Sequence, residues 1–248
     1  MRGPWACRGR AGGLGHPRST APGLSSMPPP VLLLTRPEPA SRRFAEEVAD
    51  LGLRTVIAPL MRIEPVAHDA QRAQAAPVVV LTSVAAVPAA GTGAGRRAIC
   101  VGDATAAAAR EAGFVVETGA TGEASGLLPL IAACDTVPLH LRGRHVAAEL
   151  PGPSLIVYDQ VALPLPEAGR AVLDGEGPVL LPLFSPRSAA LAAEAAAGAR
   201  AQLVPLAISA AAARAWGGAM PVAARPDGAS MRALVAAAVA EQSRREPG

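Results

Sequence analysis

VVVLTSVAAV, residues 78–87, and VLLPLFSPRSAA, residues 179–190, decide the fold of this chain. Each begins as an apolar run and ends in a small polar loop that leads into an alanine-rich segment. This order is typical of a buried strand, a turn and a helix. Such units place polar loops and helix N-termini along one edge of a sheet, where α/β proteins bind their ligands.

Two further pairs of segments share nearly the same spacing. LLLTRP around Arg36 returns as LHLRGR around Arg142, and CVGDATAAAAR around Gly102 returns as LAISAAAAR around Ser209. The offsets are 106 and 107 residues, against 102 between the serines of the first pair. Landmarks in one order at a near-constant offset indicate an internal duplication.

Short apolar runs alternate with alanine-rich segments from residue 31 onward. Ten runs are strand candidates, five in residues 31–118 and five in residues 139–224, of which the last is Val222–Ala224. Strands of about five residues alternating with helices of about ten predict an α/β fold with two doubly wound, flavodoxin-like parallel sheets. We therefore expect two lobes with five strands each.

Two Pro-bounded segments, 59–65 and 157–164, break this alternation because neither leads straight into a helix. They predict a two-stranded hinge on which the chain crosses twice between the lobes. One lobe would be residues 66–156. The other would be discontinuous, residues 28–58 plus 165–244, so the two halves of the duplication are split across the lobes.

The composition excludes several classes of protein. All 23 basic residues are Arg, and Lys and Asn are absent, which indicates the mutational bias of a GC-rich genome. Beyond residue 26 the chain has 19 Arg against 20 acidic residues, and aromatic residues are only 2%. A nucleic-acid partner is not expected, since that needs a basic face with aromatic platforms.

Residues 1–27 are rich in Gly, Pro, Arg and Ser and lack the apolar run of a secretory signal. We expect a disordered leader, or sequence upstream of a true start at Met27. No stretch approaches the run of about 18 apolar residues that crosses a bilayer, so no membrane partner is expected. The three cysteines form no C-x-x-C pair, which favours a reducing cytoplasm.

Two patterns resemble a dinucleotide-binding loop and a metal site, but neither predicts one. GTGAGR, residues 91–96, lacks the last glycine of a dinucleotide-binding loop and opens no helix, so we interpret it as a flexible loop. His140 lies inside an apolar run, and His145 and Glu149 have the spacing of an exposed pair on a helix. No metal site is predicted, because zinc needs three or four ligands.

Six strand-end loops carry the candidate binding residues. Each loop alone is typical of a helix cap, but on a two-lobed scaffold the loops would line both walls of one cleft. The candidates are Arg36, Thr82, Ser83, Gly102, Asp103, Thr105, Arg142, Gly143, Ser185, Pro186, Arg187, Ser188 and Ser209. Helix N-termini and arginines favour a ligand with many carboxylates. Only Asp103 offers a general base, so the site is interpreted as a polyanion clamp.

Tyr158 is the only tyrosine in the chain and lies on the second hinge segment. In one interpretation it is a partly buried hinge residue whose ring fills space. In the other, its phenol projects into the cleft as a hydrogen-bond donor or acid.

Together these landmarks resemble uroporphyrinogen-III synthase, over about residues 31 to 240. The matching stretches are LLLTRP (32–37), VIAPLMRIEP (56–65), LTSVAAV (81–87), VGDATAAAAREAGF (101–114), LRG (141–143), VY (157–158), FSPRSA (184–189) and the run from Leu206 to Asp227. The order and spacing of these motifs are more specific than any one of them.

The resemblance implies two α/β lobes joined by a two-stranded hinge, with the active site in the cleft. The substrate would be hydroxymethylbilane, a linear tetrapyrrole, with the preceding deaminase as a candidate donor. The enzyme would be a lyase of tetrapyrrole (heme, siroheme, cobalamin) biosynthesis that removes the terminal hydroxyl, closes the macrocycle through a spiro intermediate and inverts ring D. It would use no metal or cofactor, and we expect a cytoplasmic monomer.

The resemblance also assigns residues. Tyr158 matches the tyrosine proposed to assist departure of the hydroxyl, and four residues match polar positions of the cleft: Thr82, Ser83, Thr105 and Ser185. One loop departs from the family, which often has Gly-Pro-Thr-Thr-Ala where this chain has Ser209-Ala210-Ala211-Ala212-Ala213. Contacts from threonine hydroxyls are therefore missing there, and backbone donors remain.

A different class of function stays open on the residues alone. A two-lobed small-molecule (polycarboxylate) binding protein without catalysis would explain the crossovers and the loops equally well. It predicts an export signal, which residues 1–30 do not supply. A two-lobed nucleotide-sugar transferase is a weaker third possibility, since no phosphate-binding loop is recognisable.

Overall fold

The computed structural model describes residues 29–245, and the expected leader, residues 1–27, lies outside the described residues. The strands are β1 Val31–Leu34, β2 Arg54–Ile57, β3 Met61–Pro65, β4 Val78–Leu81, β5 Arg97–Cys100, β6 Val115–Thr118, β7 Leu139–Gly143, β8 Ser154–Ala162, β9 Pro178–Leu183 and β10 Gln202–Ala207. The α-helices are α1 Glu38–Glu47, α2 Ala70–Ala75, α3 Asp103–Glu111, α4 Leu128–Ala132, α5 Glu167–Leu173, α6 Pro186–Ala195, α7 Ala210–Trp216 and α8 Gly228–Arg245. Short 3₁₀ helices span Ala49–Leu51, Val84–Ala90 and Ala124–Leu127.

The strands form two sheets. The four-stranded sheet has the order β10-β9-β1-β2 and is parallel throughout. The six-stranded sheet has the order β3-β8-β7-β4-β5-β6, in which only β3 runs antiparallel to its neighbour. The predicted class, α/β with two parallel-dominated sheets, is confirmed. The expected division into five strands each is wrong.

Two segments account for this difference. Val222–Ala224, expected as a strand, contributes one isolated bridge from Val222 to Ala207. Met61–Pro65, expected as one strand of a separate two-stranded hinge, pairs along its whole length with the second half of β8 and becomes the outer strand of the six-stranded sheet. The sequence pattern predicts this pair of hinge strands but does not reveal that the pair continues a sheet.

Each face of the four-stranded sheet is covered by helices. Leu33 of β1 and alternate residues of β9 face α5, α6 and α7, while Leu32 and Leu34 face α1 and α8. All six residues of β9 are buried, as expected for a parallel strand covered on both sides. The alanines of α6, such as Ala189 and Ala192, allow that helix to lie close to the sheet.

The six-stranded sheet is also covered on both faces. Leu81 of β4 and Cys100 of β5 pack beneath the 3₁₀ helix Val84–Ala90 and α3. Val80 and Ile99 face the opposite side, where α4 lies. Within residues 29–245, no helix is long and apolar enough to cross a bilayer.

Strand β8 changes partner along its length. Its first half pairs in parallel with β7, and from Tyr158 to Ala162 it pairs antiparallel with β3. Tyr158 lies at the change and is in register with both Gly143 and Pro65. The register with β7 shifts between Arg142 and Gly143, a bulge of the kind that redirects a side chain.

Candidate active site

Three predicted loops lie side by side at the carboxyl edge of the six-stranded sheet. Thr82 and Ser83 follow β4, Gly102 follows β5, and Arg142 and Gly143 end β7. Because β7, β4 and β5 are neighbours and parallel, the three loops emerge at one edge.

The other three loops share the carboxyl edge of the four-stranded sheet. Arg36 follows β1, Ser185 follows β9 and Ser209 follows β10, and these strands are neighbours in the order β10-β9-β1. The structure therefore groups the predicted residues into two sets of three adjacent loops.

The two carboxyl edges meet at the end remote from the β3–β8 pair. Gly122, in the loop after β6, lies against Pro226, in the segment before α8, such that a β-carbon at position 122 would stand 3.0 Å from Cγ of Pro226. β6 is the outer strand of its sheet, and the Pro226 segment follows the bridge to β10. The space between the two edges, here called the cleft, thus lies between the β3–β8 pair and this contact.

Serine side chains cap the structures that begin at these edges. Ser83 Oγ accepts the Ala85 N–H at 3.2 Å, and Ser209 Oγ accepts the Ala212 N–H at 3.3 Å. Ser185 and Ser188 form a reciprocal capping box at the start of α6. The hydroxyl of Ser188 is buried and bonded within that box, so the structure favours a capping role for it over substrate contact.

The other predicted residues of these helix starts differ in exposure. Pro186 is the first residue of α6 and half-buried. Asp103 is exposed in the first turn of α3, whereas Thr105, two residues on, is buried beneath that helix. Gly102 precedes α3 in extended conformation, and a β-carbon there would meet open space.

Arg36 is held against an aromatic ring. Its guanidinium carbon lies 3.9 Å from the centroid of Phe184, whose ring packs edge-on against Phe44. Burial, followed by the charge of Arg43, lowers the pKa of Arg36 to about 10, so it is charged at neutral pH. No acidic side chain in residues 29–245 forms a salt bridge with it. Stacking by the face leaves the N–H edge of the guanidinium available to an anion.

Two buried polar atoms near the same edge have no hydrogen-bond partner within residues 29–245: Thr35 Oγ1 and Arg187 Nε. Thr35 ends the run of β1 and Arg187 is in the first turn of α6, which follows the neighbouring strand β9. On the facing wall, Arg142 donates to Ser154 Oγ at 3.2 Å and to the Gly143 carbonyl at 3.2 Å. On the wall formed by the four-stranded sheet, these polar groups therefore have fewer hydrogen bonds within the protein than Arg142 has on the facing wall.

Tyr158 does not project into the cleft in this structure. The residue is 5% exposed and belongs to the core between the six-stranded sheet, α3 and the 3₁₀ helix Val84–Ala90. Burial raises the pKa of the phenol, while a hydrogen bond with the Ser83 side chain and one with the Gly143 backbone favour the ionised form. The geometry is thus closer to the first interpretation of this residue, a buried ring on the hinge.

Thr82 has a partner that the sequence pattern did not suggest. Its hydroxyl lies 3.1 Å from Nε2 of His140, which is 3% exposed. Burial, followed by the charge of Arg142, lowers the pKa of His140 to about 4, so the ring is neutral at pH 7. The neutral imidazole fixes the Thr82 side chain on the face of the sheet opposite to Tyr158.

The prediction that His145 and Glu149 lie on a helix is wrong, because the backbone bends repeatedly after β7. His145 Nε2 instead lies 3.7 Å from Asp159 Oδ1, and Arg144 donates to Asp159 Oδ2 at 2.8 Å. Among the described residues, no group of three or more His, Cys, Asp or Glu has the geometry to hold a metal ion.

Phe184 and His140 are the residues of this region that the sequence alone did not select. Both lie inside apolar runs, where a large or neutral ring is expected in the core. Their positions offered a signal. Phe184 directly precedes Ser185, the polar residue after β9. His140 lies on β7, the neighbour of β4, which is followed by the polar residue Thr82.

Known proteins share this architecture. Uroporphyrinogen-III synthetase from Helicobacter pylori superposes with a TM-score of 0.52 at 14% sequence identity, over 85% of this chain and 99% of that one. A mutant uroporphyrinogen III synthase from the extremely thermophilic bacterium Thermus thermophilus gives a TM-score of 0.52 at 17% identity, over 87% of this chain and 100% of that one. At these identities the likeness shows the fold.

A search of curated protein sequences finds no match. The family model described as uroporphyrinogen-III synthase HemD matches residues 42–236, more than three quarters of the chain and every strand except β1. The sequence resemblance, the two parallel-dominated sheets and this match agree, and the chain belongs to the uroporphyrinogen-III synthase family.

Proposed function

We propose that the cleft between the two carboxyl edges holds hydroxymethylbilane and that the loops of both edges fold this linear tetrapyrrole for closure. Members of the family are cyclising lyases that convert it to uroporphyrinogen III, with inversion of ring D and loss of water, and this is the activity of the chain. The substrate carries many carboxylates, so the walls must supply donors and positive charge.

The arrangement of Arg36 on Phe184 is the observation that carries the proposal. It is a half-buried, charged side chain with no salt-bridge partner among residues 29–245, at the carboxyl edge of a parallel sheet. Such a group favours a carboxylate ligand, because burial strengthens the attraction between opposite charges. Arg187, in the first turn of α6 after the neighbouring strand β9, adds to the same wall a buried Nε that has no hydrogen-bond partner among residues 29–245.

The cleft offers little acid–base chemistry. Asp103 is the one carboxylate among the predicted residues, and it is exposed. Since the azafulvene formed from the substrate is intrinsically reactive, holding its folded shape is the main requirement. At the Ser209 loop, Ala212 is fully buried and its backbone N–H donates to Ser209 Oγ at 3.3 Å, so this cap is complete without threonine hydroxyls.

The same proposal includes the movement of two lobes about the hinge segments. Residues 66–156 would move as one lobe and residues 28–58 with 165–244 as the other, on the segments 59–65 and 157–164. The antiparallel pairing of β3 with β8 supports this, since both chain crossings lie in that pair.

We also propose a cytoplasmic monomer that receives its substrate from the preceding deaminase. Two free cysteines, Cys100 and Cys134, support a reducing compartment. The large exposed apolar side chains of the described residues, such as Val115 and Val137, lie on separate segments, which supports a monomer.

The test is the isomer of the product. Purified protein given hydroxymethylbilane should divert product from the spontaneously formed type I isomer to type III, in proportion to enzyme concentration, with heat-treated protein as control. Type I isomer at every enzyme concentration would refute the activity. A binding protein without catalysis would retain hydroxymethylbilane and still yield only type I.

A further inference from the structure

His140 is a buried titratable residue that the proposed function does not use. It lies within β7 and is 3% exposed, on the sheet face opposite to its neighbours Leu139 and Leu141. Its ring makes one hydrogen bond within residues 29–245, with Nε2 at 3.1 Å from Oγ1 of Thr82, the residue that follows the adjacent strand β4. The ring can therefore act on the cleft through Thr82 without reaching the cleft itself.

The direction of this hydrogen bond depends on the tautomer of the neutral ring. With the proton on Nε2, the ring donates to Thr82, and Nδ1 is a bare acceptor without a partner among residues 29–245. With the proton on Nδ1, a buried N–H would have no acceptor there, and buried donors without a partner are rarer in proteins than such acceptors. The surroundings therefore favour His140 as the donor and Thr82 as the acceptor.

Thr82 then keeps its own proton for a ligand. Its half-buried hydroxyl makes no other hydrogen bond in the described part of the chain. Leu81 of β4 pairs with Leu141 of β7, so Thr82 and Arg142 take the next position of each strand and face the same side of the sheet. Arg142 uses Nε and Nη1 for contacts within its own wall, and its Nη2 has no partner among residues 29–245. Two unused donors thus lie at neighbouring positions of this edge.

We propose that His140 is a positioning residue, whose Nε2–H donates to Thr82 and thereby directs the Thr82 O–H to one carboxylate of hydroxymethylbilane, which Arg142 also contacts. A carboxylate only accepts hydrogen bonds. If Thr82 gave its proton to the ring, it would turn lone pairs toward that anion. The inference rests on the proposed function and deepens it by naming one carboxylate subsite and the residue behind it.

The ring supports this subsite without a charge of its own. Burial, followed by the charge of Arg142, lowers the pKa of His140 to about 4, so the positive charge near the carboxylate comes from Arg142. A neutral ring needs no acidic partner, and an acidic partner would repel the substrate. Both properties suit a residue that orients a hydroxyl beside a polyanion.

The kinetic test separates binding from turnover. Thr82→Val removes the hydroxyl and keeps its shape, and it should raise KM for hydroxymethylbilane about 10-fold with kcat nearly unchanged, because a hydrogen bond to a charged group is lost. His140→Leu should raise KM about 3- to 10-fold, since the Thr82 hydroxyl is no longer oriented. In the Thr82→Val background the same histidine change should alter KM less than about twofold, because no hydroxyl remains to be oriented. His140→Gln, whose amide N–H can replace Nε2–H, should recover most of the affinity.

A spectroscopic measurement tests the direction of the hydrogen bond without substrate. Long-range ¹H–¹⁵N correlation spectra of the parent protein at pH 7 report the tautomer, and His140→Gln assigns the signals among the four histidines. We expect the proton on Nε2. His68→Leu, which removes a ring bonded to the carbonyl of Val66, is the control and should leave KM unchanged.

Three results would overturn the inference. They are a proton on Nδ1, an effect of His140→Leu on KM that persists in the Thr82→Val background, and a loss of stability in His140→Leu with unchanged KM, which would indicate a structural role alone. Formation of the type III isomer by the parent protein, measured separately, decides whether the proposed function itself holds.

Discussion

The ring of Tyr158 packs directly on the backbone of Gly143, at the residue where β8 leaves β7 to pair with β3. A side chain at position 143 would occupy the place of the ring. The hinge strand and the end of β7 are therefore fitted to each other, and the position of the only tyrosine depends on a residue that has no side chain.

Gly143→Ala should displace this ring. The new methyl would stand 2.6 Å from two ring carbons, and overpacking of this kind costs about 1–3 kcal/mol of unfolding free energy. Urea unfolding should show that loss together with slower formation of the type III isomer. In a Tyr158→Leu background, the same glycine change should cost less. Gly218→Ala, whose β-carbon would have its nearest neighbour at 4.0 Å, is the control. Equal costs in both backgrounds would show that the ring does not set the constraint.

The sequence predicted the loops of the site better than it predicted Tyr158. A polar residue after a buried parallel strand must appear at the carboxyl edge, so Ser83 and Ser185 could be placed from local pattern alone. The burial of Tyr158 depends on a register shift between β7 and β8, and local pattern does not determine which strands pair. The same reason explains why Met61–Pro65, predicted as a hinge strand beside 157–164, was not predicted to extend the six-stranded sheet: its place there depends on how β8 pairs with β7.

His140 should make the protein less stable in acid. Its folded pKa is about 4, against an ordinary value of 6.5, so the unfolded chain binds a proton first as the pH falls. Stability tied to this group is present above pH 6.5 and is lost between about pH 6.5 and 4. By pH 4.5 the loss should approach roughly 2–3 kcal/mol. Urea unfolding of the parent protein and of His140→Leu at pH 7 and pH 4.5 checks this. The variant should show a smaller loss, and equal losses would exclude His140 as the cause.

Arg96 should stabilise the loop that contains the glycine-rich stretch. Its guanidinium donates to the carbonyls of Ala73, Ala76, Ala90 and Thr92 at 2.6–3.2 Å and lies 5.0 Å from the Phe114 ring. Lysine has one nitrogen and cannot join the ends of α2 and the 3₁₀ helix Val84–Ala90. Arg96→Lys should therefore lower the unfolding free energy by about 1.5–3 kcal/mol. Arg110→Lys, exposed on α3, should change it little; similar effects of the two changes would contradict this role.

Arg36 should contribute to substrate binding through its charge and its stacking on Phe184. Arg36→Gln should raise KM for hydroxymethylbilane about 10- to 100-fold, because a hydrogen bond to a charged group contributes about 1.5–3 kcal/mol. Phe184→Leu keeps the charge but removes the platform and should raise KM by less. Arg43→Gln, an equal change of charge on the exposed face of α1, is the control. If it raises KM as much as Arg36→Gln, the effect is general attraction of an anion and not a specific contact.

The contact of Gly122 with Pro226 should control entry to the cleft. It joins the two carboxyl edges at the end remote from the hinge strands, so a substrate with four rings needs the edges to separate. A cysteine pair at these positions tests this, because a β-carbon at 122 would stand 3.0 Å from Cγ of Pro226, and formation of the bridge against the left-handed backbone of Gly122 (φ 68°) is checked first by mass spectrometry. In a Cys7→Ser/Cys134→Ser background, the oxidised double-cysteine protein should form the type III isomer at least about tenfold more slowly, a barrier increase of roughly 1.4 kcal/mol or more. A reductant should restore the rate, and each single-cysteine protein should be insensitive to oxidation. Full activity of the bridged protein would mean that hydroxymethylbilane enters without separation of these edges.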